Sequence, residues 1–170
     1  MSQRVAVRRL FVLLLSLAAL ALLPGPGSAA EITAFASGAS APNGQDVWGG
    51  GWGGMLTISL LNIVHLEIEG AHQGGNSSQV DTSMLTVAGK AYLGPSIGRF
   101  VPYVGLGGGG YRESLPGKTD DGTLGLVFAG AKLKFPFGLV IRGEYQWVNL
   151  PTGVPLGMDH RYFAGAGLSF

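Results

Sequence analysis

The residues of this 170-residue chain with reactive potential are three histidines, scattered serines and acids, and a set of charges within strand-like segments. His72 and His160, with Ser77, Ser78, Asp81 and Asp159, supply the residue types of nucleophilic hydrolysis, in which an oriented base takes a serine proton. That chemistry is defined by three-dimensional geometry, and common residues spread between strands do not specify it. Asp120 and Asp121 beside Gly122 offer carboxylate oxygens to a hard cation, a pattern shared with solvated turns. Gly105-Leu106-Gly107-Gly108-Gly109-Gly110 has the spacing of a dinucleotide fingerprint. No helix follows it to bring N–H dipoles to a pyrophosphate, so the match carries no binding site. No cofactor or metal is read, and the absence of cysteine removes thiol nucleophiles, disulfides and thiolate ligands. The expectation is a protein without enzymatic activity.

A different set of charges is more informative. His65, Glu67 and Glu69 alternate with Val64, Leu66, Ile68 and Gly70, and Arg142, Glu144 and Gln146 alternate with Ile141, Tyr145 and Trp147. Lys90 opposes Ala91 and Leu93, Lys132 and Lys134 oppose Val127, Ala129, Ala131 and Leu133, and Arg161 opposes Tyr162. A period of two is the signature of a strand. Eight such segments are predicted: Glu31 to about Gly38, Gly53 to Leu61, Ile63 to Gln73, Met84 to Leu93, Phe100 to Arg112, Thr123 to Phe135, Leu139 to Val148 and His160 to Phe170. The first and the glycine-rich fifth can be faced either way. Tight connections at Leu61-Asn62, 94–99 and 136–138 alternate with longer ones at 39–52, 74–83, 113–122 and 149–159. That asymmetry belongs to a transmembrane barrel.

Eight charged residues lie mid-strand: Glu67, Glu69, Lys90, Lys132, Lys134, Arg142, Glu144 and Arg161. A basic residue facing lipid at the bilayer midplane costs about 2–4 kcal/mol, so these side chains are expected inside. The outer face is then almost wholly apolar, which excludes a water-soluble eight-stranded barrel. The predicted fold is all-β, an eight-stranded antiparallel up-and-down transmembrane barrel with strand one paired to strand eight. Its lumen is wide enough only for its own side chains. His65 and the eight charges are expected to form an interior polar network, because buried charges need partners. A narrow conduit for small solutes is the alternative. Phe100, Phe135, Phe137 and Phe170 lie near the short turns, and Trp52, Tyr111, Trp147 and Tyr162 near the long loops. They are predicted to form two interfacial girdles.

Arg4, Arg8 and Arg9, the apolar run Leu10 to Leu23, and Ser28-Ala29-Ala30 have the three-part layout of a secretory signal peptide. An apolar run of about 14 residues is shorter than the roughly 20 that span a bilayer. Residues 1–30 are expected to be removed, leaving 31–170 as one domain. Without those three arginines, eight basic residues stand against 10 acidic ones, and no basic patch remains for nucleic acid.

The run Phe100-Val101-Pro102-Tyr103-Val104-Gly105-Leu106-Gly107-Gly108-Gly109-Gly110-Tyr111, with the strand Tyr162 to Phe170, resembles the outer-membrane protein β-barrel domain family. That family comprises small eight-stranded barrels of OmpA, OmpX and opacity type from Gram-negative bacteria. The resemblance implies a monomer in the bacterial outer membrane with a structural or surface-interaction role, in contact with outer-membrane lipid and lipopolysaccharide. It also implies insertion by the barrel-assembly machinery, with Tyr162, Leu168 and Phe170 of the last strand as the assembly signal. Some barrels of this size are lipid A deacylases, which makes lipid modification the alternative activity. Where the deacylases place His-x-Ser, this chain has His160-Arg161-Tyr162 and lacks the nucleophile.

Overall fold

Side-chain alternation along eight strands produces a closed barrel in the computed structural model, which describes residues 30–40, 48–60, 63–75, 82–150 and 158–170. The strands are β1 (Ala30–Ser40), β2 (Trp48–Ser59), β3 (Val64–Gly75), β4 (Ser83–Leu93), β5 (Phe100–Leu115), β6 (Lys118–Lys134), β7 (Leu139–Asn149) and β8 (His160–Ser169). Each pairs antiparallel with its sequence neighbours, and β1 pairs with β8 from Glu31↔Ser169 to Ser40↔His160. Closure removes every free sheet edge from the wall. The expected leader, 1–30, lies outside the described residues except for Ala30.

The ambiguous strands are faced by what they bury. In β1, Glu31, Thr33 and Phe35 are buried while Ile32 is exposed. In β5, Val101, Tyr103, Tyr111 and Glu113 point inward, and Val104 and Leu106 point outward. The glycine run explains itself on this strand. A Cβ on Gly105 would stand 2.5 Å from the Phe128 ring, and one on Gly107 would stand 2.8 Å from Cγ of Lys90. Real Cβ atoms do not approach so closely, so the inner face of β5 is bare where those side chains cross the lumen.

Two expectations are corrected. The segment 113–122 is not a long loop, because the β5–β6 ladder continues to Leu115↔Lys118 around Pro116-Gly117. Gly117 has φ +75°, the left-handed value that follows a proline in a type II turn. Tyr111 does not join the outer girdle. It is buried inside, opposite Gly122, whose missing side chain leaves room for the ring. The other predicted girdle residues are exposed: Phe100, Phe135, Phe137 and Phe170 at the short-turn end, and Trp52, Trp147 and Tyr162 toward the other. Tyr145 joins the second group, packed edge-on against Trp147.

Candidate functional site

The interior divides into two zones. Toward the loop end it is mainly apolar: Trp48, Met84, Tyr111, Leu124, Leu126, Val148 and Met158 are buried there, with Gln73 and Glu113 as polar exceptions. The lower and central lumen holds a charge network that crosses between strands. Lys90 on β4 places its ammonium 2.8 Å from Glu67, 2.9 Å from Glu69 and 2.6 Å from Glu144. Arg142 on β7 bridges Glu67 on β3 and Glu144 on its own strand, and its Nε donates to the Tyr103 hydroxyl at 2.6 Å. Arg161 on β8 pairs with Glu69 and donates to Gln146 at 2.7 Å. Lys132 on β6 donates to both carboxylate oxygens of Glu31 at 2.9 Å and to the Tyr92 hydroxyl at 2.7 Å.

Acceptors and donors left by the ion pairs are also used. Thr57 donates to Glu67 at 2.8 Å, Gln146 donates to Glu69 at 2.8 Å and to Glu144 at 2.6 Å, and Tyr103 donates to Glu144 at 2.9 Å. Aromatic faces cover the cations, with the Lys90 ammonium 4.3 Å from the Phe128 centroid. Such contacts favour a desolvated ammonium. A buried charge without partners would be costly, and here each one has several.

Of the nine residues predicted for this network, Glu67, Glu69, Lys90, Lys132, Arg142, Glu144 and Arg161 are linked as described. His65 is also buried, but it stands at the rim. Its Nδ1 lies 2.9 Å from the Ser59 hydroxyl, and its ring stacks on Tyr92 at 4.6 Å. Lys134 is half-buried and forms no salt bridge among the described residues. Glu31 was missed, because strand one carried no second charge to mark its inner face. Its inclusion gives four acids (Glu31, Glu67, Glu69, Glu144) against four bases (Lys90, Lys132, Arg142, Arg161), so the network is neutral.

Of the residues of hydrolytic type, the two candidate histidines stand on different strands, and Asp159 adjoins His160 in sequence. His72 on β3 faces outward and stacks on Trp52 with centroids 5.8 Å apart. His160 on β8 packs beside Tyr145 at 5.6 Å. Ser77, Ser78 and Asp81 lie outside the described residues. Asp120 and Asp121 are consecutive on a strand and so point to opposite faces, which separates their carboxylates. Asp120 instead faces Glu113, its cross-strand partner. The Glu113 carboxylate is buried with no hydrogen-bond partner among the described residues. Burial, reinforced by Asp120, raises its pKa above the ordinary glutamate range, with Lys118 opposing.

No protein-family model and no curated protein matches the sequence. Solved structures do match. Neisserial surface protein A aligns at a TM-score of 0.62 and 13% identity, covering 84% of this chain and 96% of that one. The N-terminal β-barrel domain of Pseudomonas aeruginosa OprF aligns at 0.61 and 17%, covering 84% and 97%. The attachment invasion locus protein Ail of Yersinia pestis aligns at 0.53 and 18%, covering 85% and 99%. The chain has the closed, eight-stranded, up-and-down fold of these small outer-membrane barrels.

Proposed function

We propose that this chain is an integral barrel of the bacterial outer membrane with a structural or surface-interaction role and no open pore. The observation that carries this reading is its inverted polarity. Leu106 is 67% exposed and Trp52 68% exposed on the outside, whereas Arg142 is 1% and Lys90 4% exposed inside. An apolar wall of that extent is matched by hydrocarbon and not by water. Two belts of outward aromatics at opposite strand ends fit the two interfaces of a bilayer.

A filled lumen is supported by the neutral charge network below and the buried, mainly apolar side chains above it. Water and ions crossing the barrel would have to part both. In sequence, the segments at the loop end carry Asp46, Asp81, Glu113, Asp120, Asp121 and Asp159 against Arg112 and Lys118, which is no cationic excess for a polyanion. Ail has been solved with the heparin analogue sucrose octasulfate and in a phospholipid bilayer nanodisc. For this chain the lipid contact, with lipopolysaccharide in the outer leaflet, follows from the apolar wall. The barrel acts as a monomer, delivered by a cleaved leader and inserted by the barrel-assembly machinery, for which Tyr162, Leu168 and Phe170 present outward apolar side chains. Lipid hydrolysis is less well supported: Ser40 is in register with His160 across the β1–β8 seam, but His160 packs beside Tyr145 and its Nδ1 has no hydrogen-bond partner among the described residues.

Electrophoresis of purified protein with and without boiling tests the architecture. A closed barrel changes mobility on heating; a single, heat-independent band would remove the proposal. Planar-bilayer recording tests the lumen, and discrete conductance steps would replace the filled barrel by a channel.

A further inference from the structure

The seam between β1 and β8 ends on a pair of backbone hydrogen bonds. Ala30 N–H donates to Phe170 O at 2.9 Å, and Phe170 N–H donates to Ala30 O at 2.9 Å. On its other side Ala30 is in register with Ile58 of β2. Ala30 is therefore part of the barrel wall and not merely the residue before it. We infer that leader processing cuts between Ala29 and Ala30, so that the mature chain begins at Ala30 and keeps this last rung of the seam. The inference rests on the secretory reading above and refines its boundary by one residue.

Sequence layout alone permits two cuts. Small residues stand three and one positions before the bond at Gly27 and Ala29, and equally at Ser28 and Ala30. The structure separates them. A cut after Ala30 would remove the carbonyl that accepts the Phe170 N–H and the N–H that reaches the Phe170 carbonyl. Both groups of Phe170 would then lose their strand partner, and the seam would end one rung earlier. In a cut after Ala29, water adds across that amide, Ala29 leaves with a carboxylate, and Ala30 keeps its carbonyl. Its nitrogen becomes an ammonium, which still donates to Phe170.

The test is the intact mass of the full chain, expressed with its leader in a Gram-negative host and purified from the envelope. The expected mass corresponds to a chain beginning at Ala30. A mass lower by one alanine residue, or a start at any other position, overturns the inference and leaves export intact. An unprocessed chain overturns the secretory reading as well. The variant Ala30→Val gives an independent readout, because a bulky residue blocks processing only where a small one is required. It is expected to be processed normally, and accumulation of its precursor would overturn the inference.

Discussion

Arg142 and Glu67 meet across the full width of the barrel, from β7 to β3, four strands apart in a ring of eight. The guanidinium engages both carboxylate oxygens and also reaches Glu144, Tyr103 and Met55. A bidentate pair of this kind fixes direction as well as distance. It ties opposite walls together, which ladder bonds between neighbouring strands do not.

Removing one partner of such a pair leaves the other charge buried. Arg142→Met is expected to lower stability by about 3–5 kcal/mol. Glu67→Gln in the same chain should recover part of that loss, because the two sites share one interaction. Denaturant titration of the barrel refolded in lipid vesicles measures both, and a single-variant loss below about 1 kcal/mol would contradict the cross-lumen role.

The facing of Leu106 can be tested by charge. Leu106→Arg places a guanidinium in the middle of the outer wall and is expected to cost about 2–4 kcal/mol of folding into vesicles. Arginine at an ordinary water-exposed position changes stability by about 0.5 kcal/mol or less. A cost in that small range would mean that this wall does not face hydrocarbon.

Glu113 makes the loop-end hairpin sensitive to pH. Arg112 and Asp121 form the outward pair beside it, so this part of the ribbon has left the apolar wall. Inside, Glu113 faces Asp120 and Lys118 on β6 and Met84 on β4, with Tyr111 on its own strand. Its raised pKa means that the folded state holds the proton at pH values where the unfolded chain has released it. Stability therefore falls as pH rises from the ordinary carboxyl range through the raised value. Glu113→Gln is expected to flatten this dependence and to stabilise the protein at neutral pH. Unfolding curves of the two proteins that stay parallel from pH 4 to 8 would contradict it.

Phe170 lies outward at the short-turn end of the seam, with Tyr162 and Leu168 on the same face. Deleting Phe170 removes both an apolar contact and the partner of Ala30. The yield of heat-modifiable barrel in the outer membrane is expected to drop several-fold. An undiminished yield would show that the assembly signal lies elsewhere.

Much of this fold was legible because one property, the period of two, determines both strand and facing. Glu67 and Glu69 with one residue between them could not both turn to the same wall of a bilayer-embedded barrel unless that wall was the inner one. Glu31 escaped because it stood alone on its strand, and Tyr111 because an aromatic near a strand end is ambiguous until its parity is tied to a charged neighbour. Glu113, two residues along, carried that information. Pro116-Gly117 is a turn dipeptide, and extending the alternation Tyr111, Glu113, Leu115 through it would have revealed the long hairpin. The partner of each charge was not legible, since pairs such as Lys132 and Glu31 on β6 and β1 depend on the barrel's curvature and shear.

A neutral set of four acids and four bases, none with a side chain more than 8% exposed, brings its counterions with it. Mobile salt screens charges only where it can approach them. The tether between opposite walls should therefore hold equally in fresh and in briny surroundings, leaving osmotic change to act on the outer surface alone.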